Sequence, residues 1–123
     1  MILDTFPHTG GTTTCEALWM GVPTVTLAGQ TMIERQGASL LKAAGLPEFV
    51  AENERDFVAM AVSIAANPGA LARLRRSLRD RVLASPLFDA KGFADHFTSA
   101  LWEMWSRRWT VSTGNIRPGH GLE

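Results

Sequence analysis

The sequence predicts an α/β fold, helix-rich, with two or three short parallel strands. Three observations carry this reading. Short apolar or β-branched runs, Met1–Thr5 and Val22–Leu27, alternate with helical patterns. Glycine and proline stand at the junctions between them. Leu71, Leu74, Leu78 and Val82 recur at near-helical spacing. Strands that alternate with helices favour a parallel sheet with crossover connections.

The elements follow in order. Met1–Thr5 reads as the last part of a buried strand, and Phe6–Gly11, with Pro7, Gly10 and Gly11, as a loop. Thr12–Met20 reads as a helix with Ala17, Leu18 and Met20 on its apolar face. Thr12 or Thr13 is placed to cap it, and Glu16 follows Thr13 at the spacing of a capping box. Gly21 ends this helix and Pro23 prevents its return. Val22–Leu27 reads as a buried strand and Ile33–Ala44 as a second helix, ended by Gly45 and Pro47. Phe49-Val50-Ala51 is a third, short strand. Glu54–Ala66 follows, capped by Asn53, with Phe57, Val58, Ala61, Val62 and Ala65 inward. Asn67-Pro68-Gly69 reads as a turn, Ala70–Ala84 as a helix, and Ser85-Pro86 as a break. A last helix runs from about Asp89 to Trp109, and the tail at 110–123 is expected to be flexible. Leu122-Glu123 reads as a cloning scar and is set aside. The chain opens in mid-strand, and its strands are few for a complete sheet. The expectation is therefore a piece of a longer protein, with further strands before Met1.

Composition narrows the class. The 123 residues are 46% hydrophobic and 20% charged, which excludes collagen-like, low-complexity and wholly disordered chains. No run approaches the roughly 18 apolar residues of a membrane span, and no secretory leader pattern opens the chain. A lone Cys15 excludes an internal disulfide and a cysteine-based zinc site. A cytoplasmic location is expected, with no membrane partner. The formal net charge of 0 divides into −4 over residues 1–70 and +4 over residues 71–123. Arg73, Arg75, Arg76, Arg79 and Arg81 lie on one helix without interleaved aromatics, so they read as a solvated face and not as a nucleic-acid surface. Phe97, Leu101, Trp102, Trp105 and Trp109 form one helix face, for which core packing is the default.

The most informative stretch is His8-Thr9-Gly10-Gly11-Thr12-Thr13-Thr14-Cys15-Glu16, which follows a strand and opens a helix. A helix N-terminus there offers free N–H groups and the positive end of the helix dipole. Gly10 and Gly11 let an anion approach the backbone, and Thr12, Thr13 and Thr14 add hydroxyls. Glu16, one turn on, suits the hydroxyls of a ribose. The combination suggests a nucleotide, and a plain capped loop explains the same residues. The stretch is neither a P-loop, lacking its lysine, nor the three-glycine dinucleotide fingerprint. His8 is either a phosphate donor or an ordinary loop histidine. Asp4 either contacts the site or caps the following turn. Cys15, near a helix N-terminus, is open to a lowered thiol pKa, with no partner placed for catalysis.

Further blocks carry a family likeness. Leu3-Asp4-Thr5, the Gly-Gly-Thr-Thr-Thr run, Glu16 through Thr26, Gly29 through Ser39, Ser85-Pro86-Leu87-Phe88-Asp89 and the closing helix with Leu101, Met104 and Trp105 resemble the C-terminal catalytic lobe of protein O-GlcNAc transferases and their SPINDLY-like relatives. The likeness covers about residues 2–109. It implies part of a Rossmann-like, three-layer lobe of the GT-B architecture, usually behind tetratricopeptide repeats. It implies transfer of N-acetylglucosamine from UDP-GlcNAc to protein Ser or Thr hydroxyls with inversion and without a metal or other cofactor. SPINDLY-like relatives use GDP-fucose, and the sequence does not choose between the donors. By resemblance, Gly10–Thr14 hold the donor diphosphate and Glu16 the ribose, while Arg35 matches a recurring arginine of unassigned role. Two departures stand out: some relatives have histidine where this chain has Gly11, and some have the shorter Asp at Glu16. No catalytic residue is assigned. The implied partners are the nucleotide sugar, the acceptor protein, and the N-terminal lobe and repeats of the same chain, with self-association through the tryptophan face. The competing readings are a non-catalytic interaction module and a phosphate-binding domain of another nucleotide-sugar enzyme.

Overall fold

A computed structural model describes residues 1–113, with side-chain environments to residue 109. The chain forms two units, Met1–Asp89 and a second that opens at Ala90. In the first, β1 (Ile2–Leu3), β2 (Thr24–Leu27) and β3 (Val50–Ala51) make one parallel sheet in the order β1-β2-β3. Ile2 pairs with Thr24 and Leu3 with Val25, then Thr26 with Val50 and Leu27 with Ala51. Parallel neighbours need a crossover, which α1 (Thr12–Trp19) and α2 (Gln36–Ala43) supply. A 3₁₀ turn at Ile33–Arg35 leads into α2. After β3 come α3 (Glu54–Ala65) and α4 (Pro68–Leu83).

Local chemistry explains these boundaries. Gly21 and Gly45 sit at φ 66° and 71° and end α1 and α2 in the same way. The N–H three residues past each helix reaches back to it, Val22 to the Ala17 carbonyl and Leu46 to that of Leu41, both at 2.8 Å. Asn53 caps α3 through Oδ1, which accepts the Asp56 N–H at 2.9 Å. Asn67 caps α4 likewise, accepting from Ala70 at 2.9 Å. The stretch Asn67-Pro68-Gly69 is therefore a helix start, not a separate turn, because Pro68 suits the first helical position.

The core gathers Leu18, Val25, Leu41, Leu46, Phe49, Phe57, Leu78 and Val82 from every element of this unit except β1 and β3, with Ala51 added from β3. Two expected inward faces are corrected. Met20 is exposed, since it lies beyond the last residue of α1. In α3, Val58, Val62 and Ala65 face outward, while Phe57 and Ala61 are buried and Met60 and Ile64 pack on the core. The helix phase set by Phe57 selects positions three, four and seven residues on.

The five α4 arginines are exposed, as expected of a solvated face, and three of them also make contacts within this unit. Arg75 Nε donates to the Gly21 carbonyl at 3.3 Å. Arg81 donates to the Gly45 carbonyl and reaches Glu48 Oε1 at 3.1 Å. The Arg79 guanidinium lies 5.3 Å from the Trp19 ring centroid. These cations serve carbonyls left over at the ends of α1 and α2, where the helix dipole favours positive charge.

The second unit is α5 (Ala90–Thr113), which ends four residues later than expected. The rest of the expected tail, Leu122-Glu123 included, lies outside the described residues. Along α5, Phe93 stacks on Phe97 at 5.7 Å, Trp105 contacts Trp102 at 5.0 Å, and Trp105 stacks on Trp109 at 5.4 Å. All five are exposed, so the aromatic face is real but is not core. Among the described residues, no single helix is long and apolar enough to cross a membrane.

Leu78 is fully buried where α4 meets the rest of the core. Leu78→Ala is expected to lower the unfolding free energy by about 3 kcal/mol, read as a reduced urea midpoint with an unchanged slope.

Candidate functional site

Asp4 follows β1 directly, and its side chain is 8% exposed. Oδ1 accepts the Thr5 N–H at 3.0 Å and the Gly10 N–H at 2.8 Å. Oδ2 accepts the Thr26 hydroxyl at 2.7 Å. One carboxylate thus joins the end of β1, the loop after it and the next strand. Its burial is costly alone and is offset by these hydrogen bonds. Of the two roles open to Asp4, it caps the turn and also closes the loop beyond it.

Thr9 holds the same loop from the other side. Its hydroxyl donates to the Ile33 carbonyl at 2.9 Å and accepts the Gly37 N–H at 3.0 Å. The loop is packed so closely that only glycine fits at two places. A Cβ on Gly10 would lie 2.6 Å from Thr14 Oγ1, and one on Gly37 would lie 2.4 Å from Asp4 Oδ2.

Gly11 is the N-cap of α1, and the first helical bond runs from Cys15 N–H to the Gly11 carbonyl at 3.1 Å. The N–H groups of Thr12, Thr13 and Thr14 precede that bond and have no carbonyl within the helix. The expected Thr13–Glu16 capping box does not form. The helix starts at Thr12 with Gly11 as its N-cap, so both threonines lie inside it and no side chain caps it. Nor do all three threonines offer hydroxyls: Thr14 is buried and donates to the Gly10 carbonyl at 3.1 Å. Thr12 and Thr13 are exposed. Glu16 is exposed on the next turn, and His8 is an exposed loop residue whose carbonyl accepts the Thr5 hydroxyl at 2.7 Å. The Cys15 thiol is pushed up, not down, first by partial burial and then by the Glu16 carboxylate.

A reciprocal cap of the expected kind does occur, at Thr31 and Glu34. Glu34 Oε2 accepts the Gln30 N–H at 2.7 Å and the Thr31 N–H at 3.0 Å, and Thr31 Oγ1 accepts the Glu34 N–H at 3.3 Å. The Thr31 and Gln30 N–H groups hold the Glu34 carboxyl below the usual range. Arg35 Nη1 donates to the Gly29 carbonyl at 2.9 Å, so it fastens the turn after β2.

Two hollows adjoin these loops. A small one of about 130 Å³ is lined by Ile2–Thr5, Thr13 and Thr14. A crevice of about 600 Å³ lies across the carboxyl ends of the strands, lined by Phe6 and Pro7 after β1, Leu27 at the end of β2 and Ala28–Gln30 beyond it, Glu52–Arg55 after β3, and Glu34. Open parallel sheets bind ligands at that end. The structure therefore unites Gly10, Gly11 and Thr12–Thr14 around one helix start and leaves His8 and Glu16 on its exposed margin. Sequence reasoning missed Thr9 and the crevice.

Residues 1–97 match the description Glycosyl transferase family 41. The chain belongs to this family. The family 41 chain is 47% identical over 105 residues to the Arabidopsis thaliana protein described as probable UDP-N-acetylglucosamine–peptide N-acetylglucosaminyltransferase SPINDLY, covering 85% of this chain and 12% of that protein. It is 33% identical over 125 residues to the UDP-N-acetylglucosamine–peptide N-acetylglucosaminyltransferase of Caenorhabditis elegans, covering 98% of this chain and 11% of that one. A solved variant of the Thermobaculum terrenum O-GlcNAc transferase superposes with a TM-score of 0.82 at 39% identity, over 90% of this chain and 21% of that chain. The sheet and helices are those of part of a GT-B catalytic lobe. The chain spans about a tenth of the length of the curated relatives it matches.

Asp4→Ala leaves the Gly10 N–H and Thr26 hydroxyl without their acceptor, and is expected to cost about 3 kcal/mol, measured by urea unfolding. For Glu34 the folded pKa is depressed. Its contribution is full above the ordinary glutamate range and is lost as pH falls through the lowered value. The stability gap between wild type and Glu34→Gln should therefore be largest near neutral pH and close in acid, as urea midpoints across pH will show.

Proposed function

We propose that this chain is the donor-binding part of an inverting glycosyltransferase that moves N-acetylglucosamine from UDP-GlcNAc to Ser and Thr hydroxyls of proteins. The observation that carries the reading is the loop from Asp4 to Thr14, closed by buried hydrogen bonds and ending at a helix start with unspent N–H groups. A diphosphate leaving group needs donors fixed before the reaction begins, and such a helix start supplies them without a metal. In this reading the Thr12–Thr14 N–H groups and the Thr12 and Thr13 hydroxyls take the diphosphate. Glu16 accepts ribose hydroxyls, and His8 stands at the margin as a further donor. The groups that activate the acceptor hydroxyl belong to an N-terminal lobe of the same longer protein, preceded by tetratricopeptide repeats. The proposed location is the cytoplasm, where a free Cys15 stays reduced.

A GDP-fucose donor is the second reading. It comes from the resemblance to SPINDLY-like proteins alone, since the plant relatives at 46–47% identity are themselves named for UDP-N-acetylglucosamine.

Titration with UDP, UDP-GlcNAc and GDP, followed by amide shifts, tests both. UDP or UDP-GlcNAc is expected to bind in the millimolar range with shifts confined to Gly10–Glu16, weakened on the order of tenfold by Glu16→Ala. Preference for GDP supports the second reading. No shift with any nucleotide favours an interaction module instead.

A further inference from the structure

The 600 Å³ crevice and the Gly10–Thr14 helix start lie at the same end of the sheet but differ in charge preference. The helix start offers N–H donors. The crevice carries three carboxylates, Glu34, Glu52 and Glu54, against one guanidinium, Arg55. Like charge disfavours a nucleotide diphosphate there, so the crevice is not a second place for the donor.

Its walls are nonetheless built. Phe6 is held edge-on against Phe57 at a ring distance of 5.9 Å. Leu27 and Ala28 are fixed by the sheet, with the Ala28 N–H on the Ala51 carbonyl at 2.8 Å. Glu34 is pinned over Gly29, where any Cβ would lie 2.4 Å from its own Cβ. Asn53 is spent on capping, with Nδ2 donating to Asp56 Oδ2 at 2.7 Å. Glu52 and Glu54 are exposed and make no ion pair among the described residues. An apolar floor rimmed by unpaired carboxylates fits one kind of guest: a long side chain with methylenes below and a cation at its tip.

We propose that this crevice receives a lysine or arginine side chain of the acceptor polypeptide, its stem over Phe6, Pro7 and Leu27 and its charged head among Glu34, Glu52 and Glu54. The inference rests on the glycosyltransferase reading above and adds an acceptor preference to it: a basic residue close to the hydroxyl that is modified.

The test titrates the full chain with a short peptide of alternating lysine and leucine around one serine, and with the same peptide carrying glutamate for lysine. The expected result is amide shifts at Phe6, Leu27–Gln30 and Glu52–Arg55 with the basic peptide alone. Affinity should fall on the order of tenfold in the double variant Glu52→Gln, Glu54→Gln, and also with added salt. Both glutamates are exposed, and an unchanged urea midpoint will show that the variant is folded. Equal response to both peptides, shifts confined to Gly10–Glu16, or no shift at the crevice residues overturns the proposal. The UDP titration is read at Gly10–Glu16 alone, so failure of the donor reading and failure of the acceptor crevice are seen at different residues.

Discussion

The buried carboxylate of Asp4 is the constraint on which the candidate site depends. Its two oxygens are shared among the Thr5 N–H, the Gly10 N–H and the Thr26 hydroxyl. A loop that leaves a strand and must present backbone donors to an anion cannot also leave its own N–H groups unsatisfied inside. Asp4 accepts the inward N–H of Gly10, while those of Thr12–Thr14 have no carbonyl within α1. Gly10 and Gly37 are small because the carboxylate and its threonine neighbours occupy the space a side chain would need. Thr9 completes the arrangement by tying the loop to the start of α2. The loop is thus tied at Asp4, Thr9 and Gly10 to β2 and to the start of α2, although Thr5–His8 stay exposed.

A second economy holds the scaffold. α1 and α2 both end on a left-handed glycine, and the carbonyl of each glycine is taken by an α4 arginine, Arg75 at Gly21 and Arg81 at Gly45. Positive charge at a helix C-terminus is favourable, and here it also aligns α4 with both crossover helices. Two arginines of the basic stretch therefore brace the fold while their side chains stay on its surface. This sharpens the charge asymmetry: Arg75 and Arg81 of the basic second half are tied to the glycines that end α1 and α2 in the acidic first half.

The fold was legible where it depends on local signals. The β-branched run at Thr24–Leu27, the glycines at 21 and 45 and the Asn53 cap each announce an element in isolation. What depended on three-dimensional neighbours was not. Thr13 and Glu16 have capping-box spacing, but Gly11 starts the helix first, while the same spacing at Thr31 and Glu34 forms the pair. Thr14 reads as a ligand hydroxyl until its bond to the Gly10 carbonyl is seen. The α4 arginines are exposed as the sequence suggests, but the carbonyls that Arg75 and Arg81 meet lie 54 and 36 residues away in the chain. For the site, the helix start was legible from Gly10–Thr14, whereas the crevice joins three strand ends that no local pattern brings together.

The central claim is that the anion loop is ordered by Asp4 before any ligand arrives. Amide hydrogen exchange of Gly10 in the nucleotide-free chain tests it most directly. The Gly10 amide is expected to exchange as slowly as core amides of β2 and to change little when UDP is added. Exchange at the rate of an open loop, slowed only by nucleotide, would contradict the claim.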